Sequence, residues 1–407
     1  MAASPNVLLV LADDMGVDAS PCHNEGSDLA RMPVLTALCD SGLVFDAAYT
    51  APVCSPTRAA IMTGRHGFRT GVSGVVSQQN DASLSPDEVT LFDRLNEASN
   101  YTSAVIGKWH LSANRRDLDH PAKLGVDYFY GPFSGGVKDY SNWVAVEQGQ
   151  RISVNEYATT AISDKAIDWI DAQSSPWFLW LAYNAPHTPF HKPPNDLHGF
   201  DALSGSAKDI RQNPSPYYFA ALEALDTELG RVLGSLSRDE RDEIYVIFMG
   251  DNGSPGQLSG KRGSKSKAKG SLYDGGTRVP LVVTGPDVPK GRVDSLVNST
   301  DLFATILALV GVQADASDSI DFSDTIINGA PTQRTHAYSE ISSTNAQGEA
   351  VNGWAIRDDR YKLINYDGRS PELYDMQSDP SEARNLLTKG DQNAQNIADK
   401  LAAARPH

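Results

Sequence analysis

The chain has few cysteines. Its 407 residues include only three, Cys22, Cys39 and Cys54. A small domain held together by disulfides carries many cysteines in even number, so this composition excludes a disulfide scaffold. A chain of this length can bury a large core, and we expect one large domain with a smaller companion.

Basic residues are also in short supply. The chain has 35 lysines and arginines against 51 aspartates and glutamates, which gives a formal net charge of -16. Such a charge favours solubility and excludes a general binding surface for nucleic acids or anionic membranes. An anionic ligand would need a locally positive pocket. One short basic loop, KRGSKSKAKG at 261–270, interrupts the acidic composition.

Long hydrophobic runs are absent as well. No apolar stretch approaches the roughly 20 residues of a membrane-spanning helix, and the start, MAASPN, lacks the charged and apolar regions of a signal peptide. The sequence therefore predicts no membrane or nucleic-acid partner. It predicts a cytoplasmic location, or a periplasmic or secreted one if a leader has been removed, and leaves the oligomeric state open.

Short apolar runs that stop abruptly at polar residues are present instead. They lie at 6–12, 102–107, 177–186 and 244–250. Because successive residues are apolar, these runs indicate strands covered on both faces, as in a parallel sheet. Stretches typical of helices lie between them at 87–99, 154–173 and 215–236. The alternation predicts an α/β fold with a large mixed, mostly parallel sheet sandwiched by helices.

The last part of the chain has a different pattern. HAYSEISS, GWAIRDDRYKLINY and ELYDM are typical of short antiparallel strands, and the residues after 380 indicate one or two terminal helices. We therefore predict a main α/β domain at 1–320 and a smaller α+β subdomain with an antiparallel sheet at 321–407.

Acidic and amide residues follow two of the predicted strands, at the sheet edge where ligands gather in such folds. Asp13 and Asp14 follow the first strand, and Asp251 and Asn252 follow the fourth. Each pair alone is more typical of a turn. Together they would form an all-oxygen set that suits Ca²⁺ or Mg²⁺. Converging carboxylates would be costly to leave unpaired, so a cation is expected if they meet.

Basic residues follow the other two strands. Lys108 and His110 alternate, so extended backbone would place them on one face; a solvated lysine beside a packed histidine is the ordinary alternative. His187 lies between prolines in NAPHTPF, with His191 close behind, and both are also typical of turns. The lysines of the basic loop, including Lys269, would ordinarily be solvated.

The stretch APVCSPTRAAIMTGR at 51–65 contains the third cysteine. Its SPT residues are typical of a helix start, which places Cys54 at the positive end of a helix. Arg58 then lies one turn further on, and together with helix N–H groups it could hold an anion. The ordinary interpretation of a lone cysteine is a small apolar side chain that fills a gap. A thiolate would match a hard-metal site poorly, and an oxygen nucleophile would suit it better.

CSPTR resembles the CxPxR signature of the sulfatases, in the alkaline phosphatase superfamily, whose cysteine is oxidised after synthesis to formylglycine. Five further stretches resemble elements of that family in the same order: NVLLVLADDMG, GKWHL, APHTP, MGDNG and KGSLYDGGTRVP. The tail, RYKLINY and ELYDMQSDPSEARNL, is similar to its carboxyl-terminal subdomain. Ser112 departs from a frequent glycine after GKWHL, and Asp274 from the usual glutamate before the double glycine.

The resemblance implies a cation site, with Ca²⁺ expected and Mg²⁺ as the alternative. The ligands it implies are Asp13, Asp14, Asp251, Asn252 and an oxygen of the modified Cys54. In the implied reaction, one hydroxyl of the hydrated formylglycine attacks sulfur, and loss of the proton from the second hydroxyl then expels sulfate.

The resemblance also implies the catalytic side chains. Arg58 would orient the diol, and Lys108 and Lys269 would neutralise the sulfate oxygens. His110 would take the proton from the second hydroxyl, and His187 would protonate the leaving oxygen.

The implied function is hydrolysis of a sugar or aryl sulfate, after maturation by a formylglycine-generating enzyme. One alternative is a phosphonate monoester or phosphodiester hydrolase of the same superfamily, because the same cation and lysines suit either anion. Another is a non-catalytic anion-binding relative with an unconverted Cys54. Residues that bind the part of the substrate outside the sulfate group are expected in the loops 111–150, 188–215 and 340–353. Four residues there could line such a pocket: Tyr140, Trp143, His191 and Asn352.

Overall fold

The computed structural model describes residues 4–407 apart from 24, 27–28, 79–81, 99–100, 259–264, 314–315 and 345–349. Its strands are β1 (Asn6–Ala12), β2 (Leu43–Phe45), β3 (Ala48–Tyr49), β4 (Thr102–Gly107), β5 (Tyr128–Gly131), β6 (Trp143–Glu147), β7 (Gln150–Val154), β8 (Trp177–Ala182), β9 (Ile244–Gly250), β10 (Leu281–Thr284), β11 (Gly291–Val293), β12 (Val297–Asn298), β13 (Ala337–Thr344), β14 (Ala350–Arg357), β15 (Tyr361–Tyr366) and β16 (Glu372–Asp375).

Helices surround these strands. They are α1 (Pro33–Ser41), α2 (Cys54–Thr63), α3 (Gly67–Thr70), α4 (Leu91–Ala98), α5 (His120–Lys123), α6 (Ala158–Asp171), α7 (Ala207–Gln212), α8 (Pro214–Ser235), α9 (Arg238–Asp242), α10 (Asp274–Thr277), α11 (Asp301–Leu309), α12 (Ser323–Asn328) and α13 (Gln392–Ala403). Short 3₁₀ helices lie at Val17–Ala19, Lys265–Lys267 and Leu386–Lys389.

A large mixed sheet forms the centre of the protein. Its strand order is β11-β2-β10-β9-β1-β8-β4-β5-β6-β7. The five central strands, from β9 to β5, are parallel, whereas β10 and β6 are antiparallel to their neighbours. The predicted fold class is confirmed. Because β1, β4, β8 and β9 are parallel, the residues that follow them meet at one edge of the sheet.

The apolar runs correspond closely to the central strands. Those at 6–12, 102–107 and 244–250 are β1, β4 and β9. Strand β8 ends at Ala182, before the end of its run, because the chain then turns, with the His187 N–H donating to the Asn184 carbonyl at 2.8 Å. Of the predicted helices, α4 and α6 lie inside their stretches and α8 is shifted by one residue.

Two apolar layers cover the faces of the sheet. Leu9 and Leu11 of β1 belong to the layer that contains side chains of α2, α4 and α11. Leu8 and Val10 belong to the opposite layer, with side chains of α1, α6 and α8. Burying each such side chain contributes about 1.5–3 kcal/mol. A strand with a layer on each face therefore has apolar residues at successive positions.

The carboxyl-terminal region contains a second, antiparallel sheet in the order β13-β14-β15-β16. Helix α13 packs on one face, where Leu401 joins Ile356. Leu272 packs on the other face against Ile364. The predicted antiparallel subdomain is thereby confirmed, whereas the boundary between 320 and 321 stays a prediction.

Two of the three cysteines form a disulfide. Cys22 and Cys39 are paired, with their Cα atoms 5.7 Å apart, and Cys54 is a buried free thiol. One such bond does not make a disulfide scaffold, but the cysteine count did not reveal the pair, because pairing depends on how the fold brings residues together. None of the helices in the described part of the chain combines the length and apolarity needed to cross a membrane.

Candidate active site

The two acidic pairs meet at the carboxyl edge of the central sheet. Strands β1 and β9 are adjacent and parallel, with Ala12 opposite Gly250. The Asp14 N–H therefore reaches the Asp251 carboxylate, at 3.0 Å. The Asn252 side-chain amide donates to the Asp14 carboxylate at 2.8 Å. The structure thus brings together the oxygen ligands that the sequence analysis proposed.

The donor set fits a hard cation. The Oδ1 atoms of Asp13 and Asn252 are buried and have no hydrogen-bond partner in the structure. One ligand atom each of Asp13, Cys54 and Asp251 lies within 4.8 Å of the others. Buried oxygens normally have partners, so an unpaired carboxylate oxygen and an unpaired amide oxygen beside the Asp251 carboxylate are what a bound Ca²⁺ or Mg²⁺ would explain. Sulfur suits such a cation poorly, whereas an oxygen on residue 54 would suit it.

The pKa of Asp251 reflects this crowding of carboxylates. Burial and the neighbouring Asp13 raise the pKa of Asp251 to about 6, although Arg58 acts in the opposite direction. Burial would also raise the pKa of Asp14, but the charges of Lys269 and His187 outweigh it and hold that pKa below its usual value. The site therefore carries negative charge that cations stabilise.

Helix α2 carries residue 54 at its first position. Val53 precedes it in extended conformation without a side-chain cap, and the helix ends at Gly64, which has a φ of 65°. Every residue of α2 is buried. Burial would raise the pKa of the Cys54 thiol, but the charges of Lys108 and Lys269 lower it overall. The predicted helix start is thus correct to within one residue.

Arg58 lies one turn after residue 54 and is fully buried. Its Nη2 contacts the Asp251 carboxylate at 2.9 Å, and its Nη1 donates to the Lys108 carbonyl at 2.9 Å. Burial lowers the pKa of Arg58, but Asp251 and Asp13 raise it above the ordinary value. The guanidinium thereby joins α2 to the segments that follow β9 and β4.

Lys108 is buried and paired, so the solvated alternative is wrong for this residue. Its Nζ lies 2.5 Å from the Asp13 carboxylate, and neither side chain is exposed. The prediction of extended backbone through Lys108 and His110 is also wrong, because His110 has a φ of 60°. The His110 N–H donates to the Phe133 carbonyl at 3.3 Å, and this contact accompanies the change of direction.

The His110 ring lies between a carbonyl and residue 54. Its Nε2 is 3.0 Å from the Val76 carbonyl, and its Nδ1 is 3.2 Å from the Cys54 sulfur. A carbonyl can only accept, so the neutral ring carries its proton on Nε2 and directs the Nδ1 lone pair at residue 54. Ser55 completes the arrangement by accepting from the Val76 N–H at 3.1 Å.

Burial, with the charges of Lys108 and Arg58, holds the pKa of His110 well below its usual value. The imidazole is therefore neutral in the absence of substrate, which is the state that a proton acceptor needs.

His187 lies on the more open side of the site, with about a fifth of its side chain exposed. Its Nδ1 is 2.7 Å from the Thr188 carbonyl, and its Nε2 is 3.8 Å from the Asp14 carboxylate. The Tyr140 hydroxyl lies 2.8 Å from the His187 carbonyl, and the His191 ring stacks on Tyr140 at 3.8 Å. Tyr140 and His191 thus support the His187 turn.

Lys269 is the only member of the basic loop, within its described residues 265–270, that reaches the acidic cluster in a contact seen here. Its Nζ lies 2.5 Å from the Asp14 carboxylate. Burial would lower the pKa of Lys269, but Asp14 raises it above its usual value. Lys267 instead donates to the carbonyls of Ser381 and Glu382 in the carboxyl-terminal subdomain. Lys261 and Arg262 lie outside the described residues.

Three other residues singled out in the sequence lie away from the cluster. Trp143 is buried in the core, and its indole N–H donates to the Glu156 carbonyl. Asn352 is exposed and its Oδ1 bonds to Ser342. Ser112 is buried and donates to the Asn114 carbonyl at 3.3 Å.

Several supporting residues carry no signal in the sequence. The Tyr218 hydroxyl donates to the Asp14 carbonyl at 2.8 Å. Asn184 is buried, with both side-chain polar atoms unpartnered in the structure. Val76 acts through its carbonyl, which any residue type could supply. These contacts join residues far apart in the chain, so only the fold reveals them.

Family comparisons agree with this architecture. The family model described as Sulfatase matches residues 5–312, and the one described as N-sulphoglucosamine sulphohydrolase, C-terminal, matches residues 267–405. The chain is 30% identical over 373 residues to N-acetylgalactosamine-6-sulfatase of Sus scrofa, covering 82% of this chain and 68% of that protein. It is 27% identical over 435 residues to the uncharacterized sulfatase YidJ of Escherichia coli, covering 94% and 83%.

Solved structures share the fold. Ps i-CgsB, determined in complex with k-i-k-neocarrahexaose, has a TM-score of 0.79 and 25% identity, covering 98% of this chain and 92% of that chain. BT4656, determined with its substrate D-glucosamine-2-N,6-O-disulfate, has a TM-score of 0.78 and 20% identity, covering 98% and 96%. Together with the matched family model, these results show that the chain belongs to the sulfatases, a family of sulfuric ester hydrolases.

Proposed function

We propose that this protein hydrolyses a sulfate ester of a saccharide, with residue 54 acting as a formylglycine. The observation that carries the proposal is the position of Cys54, at the start of α2, beside a buried oxygen ligand set and two buried cationic side chains. The resemblance to sulfatases that act on sugar sulfates supports the substrate class.

The proposed cation is Ca²⁺, with Mg²⁺ as the alternative. Its ligands would be Asp13, Asp14, Asp251, Asn252 and an oxygen of modified residue 54. A bound divalent cation supplies positive charge that makes a hydroxyl of residue 54 more acidic and withdraws charge from the sulfate oxygens. The orphaned oxygens of Asp13 and Asn252 support this assignment.

Residue 54 performs the first proposed step. One hydroxyl of the hydrated aldehyde loses its proton to solvent, and its oxygen forms a bond to sulfur while the bond from sulfur to the ester oxygen breaks. Arg58, fixed by Asp251 and the Lys108 carbonyl, orients the diol. His187 gives a proton to the departing oxygen, and the exposure of its ring supports access to substrate.

His110 acts in the second proposed step. Its Nδ1 takes the proton of the remaining hydroxyl, the carbonyl of residue 54 re-forms, and the bond to the sulfate oxygen breaks. Sulfate leaves with the bonding electron pair, and water then hydrates the aldehyde again. The 3.2 Å contact between Nδ1 and the Cys54 sulfur supports this role, because the hydroxyls would occupy that neighbourhood.

Lys108 and Lys269 hold the sulfate in this proposal. Each is paired with a different aspartate of the acidic cluster, Lys108 with Asp13 and Lys269 with Asp14, at 2.5 Å. Positive groups that are fixed in place before the reaction stabilise developing charge without further reorganisation. A bound cation would take over part of the aspartate charge and free the lysines for the anion.

Peptide mass spectrometry and a substrate panel test the proposal together. The protein should be produced alongside a formylglycine-generating enzyme, and residues 51–58 should then show replacement of CH₂SH by CHO. The converted protein should release sulfate from 6-sulfated N-acetylhexosamines, whereas the Cys54→Ser variant should not turn over.

Phosphonate monoesters, phosphodiesters and aryl sulfates complete the panel. A phosphodiester rate far above every sulfate rate would reject the proposal in favour of the phosphoryl-transfer alternative. Persistence of the thiol in protein from its native host would favour the non-catalytic alternative.

A further inference from the structure

A short loop after β5 runs between the two histidines of the site. The Pro132 and Phe133 carbonyls accept hydrogen bonds from the N–H groups of Trp109 and His110, at 3.0 and 3.3 Å. Two glycines follow, Gly135 and Gly136. The loop therefore holds the backbone of His110 and then passes directly over the side chains.

Gly135 lies against the His110 ring. A methyl group placed on its Cα would lie 2.4 Å from Cε1 and 2.5 Å from Nε2 of that ring. Such distances are far shorter than the contacts of real carbon atoms, which begin near about 3.5 Å. Either the ring or the loop would have to move to accommodate any side chain at this position.

The His110 ring has little freedom to move. Val76 holds its Nε2, residue 54 faces its Nδ1, and the side chain is buried. Displacing the ring from Gly135 therefore breaks the Val76 contact or shifts Nδ1 relative to residue 54. Gly135 does not have a left-handed φ, so alanine fits its backbone conformation and only the contact changes.

Gly136 provides a matched control on the same loop. A methyl group there would lie 3.4 Å from the Nδ1 of His187 and 3.7 Å from the Thr188 carbonyl, which are ordinary contacts. Its φ is also outside the left-handed region. Alanine at 136 thus makes the same chemical change one residue away without displacing a ring.

We infer that Gly135 is a positioning residue for the reaction, one that keeps the His110 Nδ1 directed at residue 54. The inference rests on the proposed role of His110. The residue acts by having no side chain, because the close approach of the loop backbone leaves the imidazole a single placement. No substrate contact is required of it.

Kinetics of Gly135→Ala and Gly136→Ala test the inference. Gly135→Ala should lower kcat about 10²-fold, with kcat/KM changed by less than roughly twofold, because His110 acts in the second step, after the ester bond has broken. Gly136→Ala should resemble the unmutated enzyme. An unchanged kcat in Gly135→Ala, or a rise in KM alone, would overturn the inference, the latter showing that the glycine makes room for substrate.

A double-mutant cycle tests the contact without any activity. Introduced alone, Gly135→Ala should lower the melting temperature. Introduced into the His110→Ala variant, which lacks the ring, it should lower the melting temperature much less. An equal fall in melting temperature with and without the His110→Ala change would overturn the inference. If the unmutated enzyme cleaved no sulfate ester, the proposed function would fail, and this cycle would still decide whether Gly135 constrains His110.

Discussion

Each histidine of the candidate site has one ring nitrogen at a backbone carbonyl and the other at a side chain of the site. The Nε2 of His110 contacts Val76, and the Nδ1 of His187 contacts Thr188. His110 therefore presents Nδ1 to residue 54, whereas His187 presents Nε2 to Asp14. This arrangement suits two separate proton transfers.

Replacing each histidine by alanine should give different dependences on the leaving group. His187→Ala should slow a sugar sulfate about 10²–10⁴-fold and an activated aryl sulfate much less, because a good leaving group needs little protonation. His110→Ala should bring both substrates to the same low kcat, since the second step is common to them. Steady-state kinetics on both substrates measure the difference.

Mass spectrometry supplies the control for this pair of variants. Sulfate should accumulate on residue 54 in His110→Ala and not in His187→Ala. The reverse distribution would show that the two roles are exchanged.

For single residues, the sequence predicts which residue types form the candidate site better than it predicts their backbone conformation and burial. The four-residue spacing of Cys54 and Arg58 places both on one side of α2, because a helix turns once in that distance. The left-handed φ of His110 has no such local cause, since it accompanies a bond to Phe133. The burial of Lys108 likewise depends on Asp13, a residue brought near by strand pairing.

Helix α8 supports helix α1 through one carboxylate. The Asp226 side chain accepts from the N–H groups of Val34 and Leu35, at 2.9 and 2.8 Å. These belong to the first turn of α1, which carries no side-chain cap of its own. Asp226 thus satisfies the end of one helix from the middle of another.

This carboxylate should make stability depend on pH. Burial raises the pKa of Asp226 to about 6. The folded state then holds a proton that the unfolded chain has already lost, so the free energy of unfolding should fall between about pH 4 and 6 and stay low above. Urea unfolding at both ends of this range should show a difference of about 2–3 kcal/mol that Asp226→Asn removes. Parallel pH profiles of the two proteins would contradict this.

The carboxyl-terminal sheet holds the segment that follows Lys269. The Lys362 ammonium lies 2.8 Å from Asp274 and 2.9 Å from Glu382, and all three are largely buried. The Tyr366 hydroxyl accepts from the Leu272 N–H at 2.8 Å. Asp274, the departure from the family's glutamate, is therefore part of a charge cluster between the main sheet and the subdomain.

Loss of the lysine from this charge cluster should destabilise the folded protein. Lys362→Met should lower the free energy of unfolding by about 3–5 kcal/mol, because two buried carboxylates lose their partner. The control is Arg360→Met, just before the same strand, where an arginine half exposed to solvent pairs with Asp375. That change should cost at most about 1 kcal/mol. If urea titrations gave the same fall in the free energy of unfolding for both variants, the buried cluster would contribute no more to stability than the exposed ion pair.

Elements with one strong local pattern were predicted well, and those defined by partners were not. Strands β1, β4 and β9 match their apolar runs because both faces are buried. Strands β2, β10 and β11 have at most four residues, too short for a periodic signal, and their order depends on pairing across the sheet. The disulfide between Cys22 and Cys39 was missed for the same reason.

On the scale of the whole molecule, an acidic protein concentrates three carboxylates at one buried point. Calcium should therefore stabilise the folded state. At 100 times its Kd the ion should add about 2.7 kcal/mol, and a chelator should remove that increment together with activity. Thermal melts with and without the ion measure the effect.

Two asparagine variants make the calcium test specific. Asn252→Ala removes a proposed ligand without changing charge and should shrink the calcium-dependent shift. Asn352→Ala, at an exposed position, should leave it intact. A shift that is the same in both variants would place the ion elsewhere.

Strand β1 lies at the centre of the sheet, contributes to both apolar layers and leads directly into Asp13 and Asp14. Because Asp13 follows Ala12 directly, a shift of β1 would move both aspartates. With excess Ca²⁺ present, loss of activity on heating should accordingly coincide with cooperative melting of the main domain. Heat should then inactivate the protein at the rate at which its central sheet unfolds.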